Sequence, residues 1–324
     1  MASFDFSRIR MQGRVALDGA SYSPRKLIMI HSGVTIGLGL VLSVISYLLD
    51  MGIAQTGGLS GIGTRSVLET VQSLLETANM TLLPFWSIGY VRVILLWMRR
   101  QDGDVSTLLY GFRCFVPVIR LMFLQGIVYA LLSIVGVYAG TAVFMLTPGA
   151  QPLLEVARQM LESGNMDYAA LQEHEVFLSV SAAMLPYMLG AALLLIVPVA
   201  YRLRFAQFAL MDQPRQGALR ALLCSWRATK RNCLALLKLD LHFWWYHLAG
   251  LLIMALGYGD MLLPLVGIEL GISADAAMFA FYIAALLCEF GLYVWKKNEV
   301  FAVYALAYDE LTAAEQQSQQ NEAR

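Results

Sequence analysis

The segment VPVIRLMFLQGIVYALLSIVGVYAGTAVFML runs from Val116 to Leu146, and Arg120 is its only charged residue. An α-helix needs about 20 apolar residues to cross the ~30 Å hydrocarbon layer of a membrane. The segment exceeds that length, so it predicts a transmembrane helix that tilts or projects beyond the bilayer. A helix of this kind places the chain among membrane proteins.

Five further apolar stretches bring the predicted number of spans to six. They are approximately Leu27–Leu49, Thr81–Met98, Phe177–Ala200, Leu241–Leu263 and Ala274–Trp295. Of the 324 residues, 58% are hydrophobic and only 14% are charged, whereas a soluble domain of this size needs a charged surface. The sequence therefore predicts an all-α, polytopic transmembrane helical bundle with interfacial amphipathic helices.

The Lys and Arg residues are distributed unevenly between the two predicted sides of the membrane. They concentrate in the N-terminal segment and after the second, fourth and sixth spans, whereas the opposite side has only Arg65 and Arg158. Because cytoplasmic loops carry an excess of basic residues, both termini are expected in the cytoplasm. We expect a cytoplasmic segment at 1–26, a six-span domain at 27–311 and a polar tail at 312–324.

Amphipathic stretches lie between the predicted spans. On the inner side, Phe6–Leu17, Val105–Phe112 and Gly217–Arg231 each precede an odd-numbered span, which suggests a threefold plan of interfacial helix and hairpin. On the outer side, Arg65–Thr77 and Leu153–Ser163 have helical spacing and are expected on the membrane surface or as caps of the bundle.

The stretch from Tyr201 to Gly250 carries a family resemblance. The residues concerned are Tyr201-Arg202-Leu203-Arg204-Phe205, Asp212-Gln213-Pro214, Lys230-Arg231-Asn232 and Leu239-Asp240-Leu241-His242-Phe243. They resemble a bacterial membrane family in the series of domains of unknown function, number 975, although Arg231 replaces a glycine and His242 a serine. The resemblance implies a multi-pass protein of the bacterial plasma membrane, and it brings no catalytic or ligand residues with it.

The same stretch suggests contacts at the inner surface. Basic side chains near a membrane surface gain about 1 kcal/mol each from anionic headgroups. The candidate lipid or partner contacts are Arg215, Arg220, Arg227, Lys230, Arg231, Lys238 and Asp240, with Leu219, Leu222, Leu223 and Trp226 facing the acyl chains. A surface helix that merely follows the positive-inside rule is the favoured interpretation, and a specific lipid or partner site is the alternative.

A second candidate site lies within the spans. Charged side chains in the bilayer core cost at least ~2.5–3.5 kcal/mol, so each requires a partner or a function. Glu289 is too short to reach the interface, and we expect it to be neutral or paired within the candidate polar cluster of Arg92, Arg120, Glu289 and His247. An ion pair that fixes helix register is favoured over a proton or substrate relay.

Catalytic and metal-binding motifs do not occur in the sequence. Formal net charge is zero, which gives no basic field for nucleic acid. We therefore expect no enzymatic activity and no cofactor. The favoured function is a membrane scaffold that binds lipids, a membrane-protein partner or a second copy of itself at the inner leaflet. The alternative is a small-molecule or ion transporter or channel that uses the intramembrane cluster.

Overall fold

The computed structural model describes residues 5–55, 62–152, 154–155, 158, 175–230, 232–265 and 274–322. Within these ranges the secondary structure is helical, without a β-strand, which confirms the predicted all-α bundle. The helices are α1 Phe6–Asp18, α2 Pro24–Gln55, α3 Ile62–Met98, α4 Val105–Leu108, α5 Tyr110–Arg113, α6 Phe115–Met145, α7 Glu175–Leu203, α8 Ala206–Asp212, α9 Gly217–Thr229, α10 Cys233–His242, α11 Trp244–Gly257, α12 Gly259–Leu265, α13 Ala274–Leu292 and α14 Asn298–Glu322. A π-helical turn, Tyr293–Lys297, joins α13 to α14.

In the part of the chain that the structure describes, five helical segments are long and apolar enough to cross a membrane, and there are up to six if one bent pair of helices counts as a single span. The five are Pro24–Leu49, Thr81–Met98, Phe115–Met145, Val180–Asp212 and Ala276–Gln317. The chain is thus a multi-pass membrane protein in which each span satisfies its own backbone hydrogen bonds.

The fifth predicted span, Leu241–Leu263, is not one straight helix. The chain bends by 71° between α10 and α11, at Phe243. The Phe243 amide donates to the Asp240 carbonyl, a bond one residue shorter than the α-helical spacing, so the helix stops there and restarts at Trp244. The apolar segment therefore begins earlier than predicted and changes direction.

Two other predicted segments also differ. Arg65–Thr77 does not form a separate surface helix, because α3 is one continuous helix of 37 residues. At 1.5 Å per residue α3 is about 55 Å long, more than the bilayer core requires. The tail beyond residue 311 is helical as far as Glu322, as part of α14. Most of Leu153–Ser163 lies outside the described residues, and the threefold plan stays a prediction.

The chain divides into two compact units, one of residues 1–119 with 205–324 and the other of residues 120–204. In the first unit, α3 is the central helix and contacts α1, α2, α4, α5, α8 and α14. Its second half is mostly buried, with Phe85, Tyr90 and Trp97 in the core. In the other four spans only a small share of the residues is buried, as expected of helices in contact with lipid.

The second unit is an antiparallel pair formed by α6 and α7. Gly136 lies against Ala192, and one turn later Gly140 lies against Met188. Phe144 packs edge-on against Tyr187, with ring centroids 5.4 Å apart. The G-x-x-x-G spacing of Gly136 and Gly140 lets the two backbones approach closely.

Candidate functional site

Charged side chains gather at the end of the first unit where α1, the last turn of α3, α8, α9 and α14 meet, and we call this region the basic end. Arg99 lies at its centre. Its guanidinium donates to Asp309 at 2.7 Å and also binds Asp212. These two carboxylates, Asp309 first, raise the pKa of Arg99 further above its already high ordinary value. One arginine therefore ties α3 to both α8 and α14.

The N-terminal helix is attached to the C-terminal helix by similar pairs. Arg8 donates to Glu310 at 2.6 Å, and Arg10 and Arg14 donate to Glu299 at 2.6 and 2.9 Å. Lys296 completes the group around Glu299 at 2.8 Å. The basic residues of α1 are thus paired with carboxylates of the same chain, so they are poor candidates for contacts with an external ligand.

The amphipathic helix α9 is oriented as its sequence predicts. One face, containing Ala218, Ala221 and Ser225, is buried against the bundle. The Ser225 hydroxyl accepts a hydrogen bond from the Phe205 amide at 3.1 Å, which fixes the helix to the chain just before α8. This contact shows why a small polar residue occupies the packed face.

The opposite face of α9 exposes an apolar stripe. Leu219, Leu223 and Trp226 follow one another at helical spacing and are 65%, 52% and 41% exposed. Leu222, also predicted to face lipid, is half-buried. Exposed large apolar side chains along one face are typical of a helix that lies in a membrane interface.

The basic residues on and beside α9 are accessible. Arg215, Arg220, Arg227 and Lys230 are exposed, and Arg231 lies outside the described residues. Arg220 makes no ion pair or hydrogen bond with any residue that the structure describes. It differs in this respect from the arginines of α1, which bind carboxylates of their own chain.

A cleft of about 460 Å³ lies between α8, α9 and α14, and we call it the α9–α14 cleft. Its lining residues come from these three helices and include Asp212 at the end of α8. The lining includes Arg220, Leu223, Cys224 and Arg227 from α9, and Tyr308, Thr312 and Glu315 from α14. Burial raises the pKa of the Cys224 thiol, so the thiol stays protonated at neutral pH and is a poor nucleophile.

The remaining predicted surface contacts, Lys238 and Asp240, have different environments. Lys238 is exposed on α10. Asp240 is instead an internal partner, because it accepts a hydrogen bond from the Tyr304 hydroxyl at 2.8 Å. His247 meets the same tyrosine, with its Nε2 3.3 Å from the hydroxyl and 3.9 Å from the Asp240 carboxylate. Asp240 and His247 therefore belong to one site, where the sequence suggested two.

Arg92 and Glu289, two members of the predicted intramembrane cluster, contact other residues of the first unit. Arg92 donates to the Met211 carbonyl at 2.6 Å and lies 5.3 Å from the Tyr110 ring centroid, so α8 and α5 supply its partners. Glu289 forms a hydrogen bond with Tyr293 one turn along its own helix. Among the described residues no ion pair joins Glu289 to Arg92 or His247, so these two expected pairings are wrong, and the neutral form of Glu289 stays a prediction. Arg120 is exposed and belongs to the second unit.

A different cluster joins Lys297 of the π-helical turn, which is half-buried, to the buried side chains of Tyr90 and His31. The Lys297 ammonium is 4.0 Å from the Tyr293 ring centroid and 5.5 Å from that of Tyr90. Tyr90 also packs on His31, at 4.6 Å between centroids, and His31 is fully buried. In the described part of the chain, neither ring nitrogen of His31 has a hydrogen-bond partner.

Sequence reasoning missed this cluster. A signal was present, because Glu289, Tyr293 and Lys297 follow one another at the i, i+4 spacing that places side chains on one helix face. Two features hid it. Lys297 falls among the basic residues that follow the last predicted span, and His31 stands alone in an apolar segment.

Comparison with known proteins gives no significant match to a protein-family model, to a curated protein or to a solved structure. The resemblance of the stretch from Tyr201 to Gly250 to the bacterial family described above therefore stays a prediction. The observations that bear on function are the geometry of the basic end and of the cluster around Tyr90 and Lys297.

Proposed function

We propose that this multi-pass membrane protein is a non-enzymatic scaffold that binds phospholipids of the inner leaflet through α9. In this proposal the basic end faces the cytoplasm. The observation that carries it is the exposed stripe of Leu219, Leu223 and Trp226 on a helix whose other face is packed into the bundle. A stripe of this kind beside exposed arginines matches the boundary between acyl chains and charged headgroups.

The free energies of the side chains on α9 favour contact with lipid over exposure to water. Full burial of a large apolar side chain is worth about 1.5–3 kcal/mol, so three roughly half-exposed side chains gain about 3 kcal/mol in lipid. Arg220 and Arg227 add about 1 kcal/mol each when they lie near anionic headgroups. Together these terms are large enough to hold α9 at the boundary between acyl chains and headgroups instead of in water.

The test is lipid retention by the full chain. The protein is placed in mixed micelles with phosphatidylglycerol and phosphatidylcholine, and the bound lipids are counted by native mass spectrometry. We expect the double variant Arg220→Gln/Arg227→Gln to retain roughly 30-fold less phosphatidylglycerol, as two headgroup contacts predict. Leu219→Ser/Leu223→Ser is expected to lower retention of both lipids.

Arg65→Gln is the matched control, because Arg65 is also exposed but lies in α3, on the side predicted to be outside. Its lipid retention should equal that of the unmodified protein. If the two α9 variants retain as much lipid as Arg65→Gln, the proposal is wrong.

A second candidate function is transport of protons or cations, and one specific observation favours it. Lys297 lies in the π-helical turn and packs near the buried Tyr90, which in turn packs on the buried His31, and π-turns inside helices are frequent at functional sites. The residues differ from the Arg92, Arg120 and Glu289 group that the sequence suggested.

The transport candidate is tested with proteoliposomes that contain a pH-sensitive dye. We expect a transporter to dissipate an imposed proton or potassium gradient, and Lys297→Met to abolish that flux. Lys26→Met, an exposed lysine near the start of α2, is the control. Gradients that persist as long as in protein-free vesicles would eliminate this candidate for those two ions.

A further inference from the structure

The helix α3 ends on an arginine at a position where glycine is usual. The Gln101 amide donates to the Leu96 carbonyl at 2.8 Å and the Arg100 amide to the Trp97 carbonyl at 3.0 Å, which are the two hydrogen bonds of a Schellman motif. The motif holds Arg100 in the left-handed region, with a φ of 57°, where a side chain is strained and glycine is not. In the described part of the chain no other residue except glycine has a positive φ. Strained residues of this kind concentrate at binding sites.

The Arg100 side chain has no partner among the residues that the structure describes. It is exposed and forms no ion pair or hydrogen bond there, whereas the neighbouring Arg99 binds Asp212 and Asp309. No contact within the described structure therefore offsets the strain of the Arg100 backbone. The guanidinium group is available to a ligand from outside the chain.

Arg100 lines a cleft of about 440 Å³ between α1, the end of α3 and α14, and we call it the α1–α3 cleft. Met11 and Val15 lie one turn apart on α1 and are 70% and 54% exposed, and Met98 and Leu306 complete the apolar part of the lining. None of the described residues that line this cleft is acidic. The cleft thus suits a ligand that has an anionic group and an apolar body.

The α1–α3 cleft lies at the depth of phospholipid headgroups. The span Thr81–Met98 ends at a residue that lines the cleft, and Arg100 follows two residues later. Because an apolar span ends where the hydrocarbon layer ends, Arg100 lies at the level of the lipid phosphates. A lipid whose phosphate reached Arg100 would have its acyl chains beside the exposed Met11 and Val15.

We infer that the α1–α3 cleft binds a glycerophospholipid, with its phosphodiester on Arg100 and an acyl chain along Met11 and Val15. Guanidinium groups bind phosphate oxygens through pairs of parallel hydrogen bonds. Gln12 also lines the cleft, and its side-chain amide can donate to the same phosphate. The site is separate from α9, so the inference goes beyond the proposed function and does not depend on the arginines of that helix.

Two carboxylates near the cleft leave room for an anion. Glu310 is paired with Arg8 at 2.6 Å, which offsets its charge. Asp102 lines an adjacent cleft together with Arg100, but the two form no ion pair in the described structure. Asp102 is also exposed, so water and salt screen its charge.

The experiment maps where a lipid contacts the full-length protein. The protein in neutral detergent micelles receives subsaturating phosphatidylglycerol that carries a photoreactive diazirine in one acyl chain, and the cross-linked peptides are identified by mass spectrometry. We expect cross-links on α1 between Met11 and Val15, and others on α9. Arg100→Asn should lower the yield on α1 roughly fivefold, because one headgroup contact is lost, and should leave the yield on α9 unchanged.

The variants separate binding from folding and from net charge. Asparagine tolerates the left-handed conformation better than most residues, so the unfolding midpoint of Arg100→Asn, measured by circular dichroism, should not fall. Arg100→Lys keeps the charge and should label α1 more strongly than Arg100→Asn. Arg113→Gln is the matched control, because it removes an exposed arginine outside the cleft, and its labelling should equal that of the unmodified protein.

Four results would overturn the inference. Labelling of α1 that Arg100→Asn leaves unchanged refutes the phosphate contact, and an equal loss in Arg113→Gln reduces it to an effect of net charge. Displacement of the lipid by equimolar glycerophosphoglycerol, which has no acyl chains, refutes the lipid assignment. Labelling of α9 without α1 indicates another occupant, such as an acidic segment of a partner protein, and leaves the proposed function intact. Labelling of α1 without α9 supports the inference and contradicts the proposed function.

Discussion

Replacing Gly136 with alanine tests how closely α6 and α7 pack in the second unit. A Cβ atom at residue 136 would lie 2.4 Å from the Ala192 Cα and 2.8 Å from its nitrogen. Ordinary contact begins near 3.4 Å, so the two backbones would have to separate by about 1 Å. The obstructing atoms belong to the backbone, and no flexible side chain can move aside to make room.

The expected cost follows from this geometry. Overpacking of a well-packed contact typically costs about 1–3 kcal/mol, and we expect Gly136→Ala in the upper half of that range. Gly140→Ala should cost a similar amount, because its Cβ would lie 2.5 Å from the Met188 Cα. The double variant should cost less than the sum, since the helix displacement caused by one substitution also accommodates the other.

The control lies on the same helix. A Cβ atom added at Gly126 would have no other atom within 4 Å, so the alanine methyl of Gly126→Ala meets open space. Alanine also loses less backbone entropy than glycine in a helix, and this change should be neutral or stabilising by up to about 1 kcal/mol. The same change, glycine to alanine, is therefore predicted to lower the free energy of unfolding at residue 136 and to leave it unchanged or raise it at residue 126.

The assay is reversible unfolding of the full chain by titration with sodium dodecyl sulfate in mixed micelles, followed by far-ultraviolet circular dichroism. Gly136→Ala should lower the denaturant midpoint, and Gly126→Ala should leave it unchanged or raise it. A free energy of unfolding for Gly136→Ala within ~0.5 kcal/mol of that for Gly126→Ala would refute the close approach of α6 and α7.

Three further substitutions in the first unit follow from its contacts, and each is measured by the same titration. Arg99→Gln removes the ion pairs to Asp212 and Asp309 and should cost about 1–3 kcal/mol, the lower end applying because the side chain is one-third exposed. Arg100 has a φ of 57°, which costs an L-residue about 1 kcal/mol, so Arg100→Gly should stabilise by that amount, and no gain would contradict the left-handed backbone. Asp104 caps α4 by accepting from the Thr107 amide at 3.1 Å, and Asp104→Ala should cost about 1 kcal/mol. Hydrogen bonds from Ser106 and Thr107 lower the pKa of Asp104, so this contribution is complete at neutral pH and disappears as the pH falls through the lowered pKa.

The sequence by itself predicted the apolar membrane helices and the amphipathic helix α9, but it predicted neither the bend at Phe243 nor the continuity of α3 through Arg65–Thr77. The length of an apolar run is enough to predict a span, because a bilayer core forces the backbone to satisfy its own hydrogen bonds. Of the four residues predicted on the lipid-facing side of α9, Leu219, Leu223 and Trp226 are exposed and Leu222 is half-buried. Both properties are local, so they require no knowledge of the neighbouring helices.

Only the tertiary structure decided which polar groups meet. Glu289 and Arg92 were expected to pair, yet Arg92 binds the Met211 carbonyl, 119 residues away in the sequence. In the sequence Arg99 is one of several basic residues at the end of a span. In the structure it pairs with Asp212 of α8 and Asp309 of α14. A pairing depends on the rotation and depth of each helix, which are set by packing between distant segments and not by local composition. For the same reason, the sequence identified the basic residues of α9, whereas the cleft that α9 forms with α14 depends on how these two helices pack.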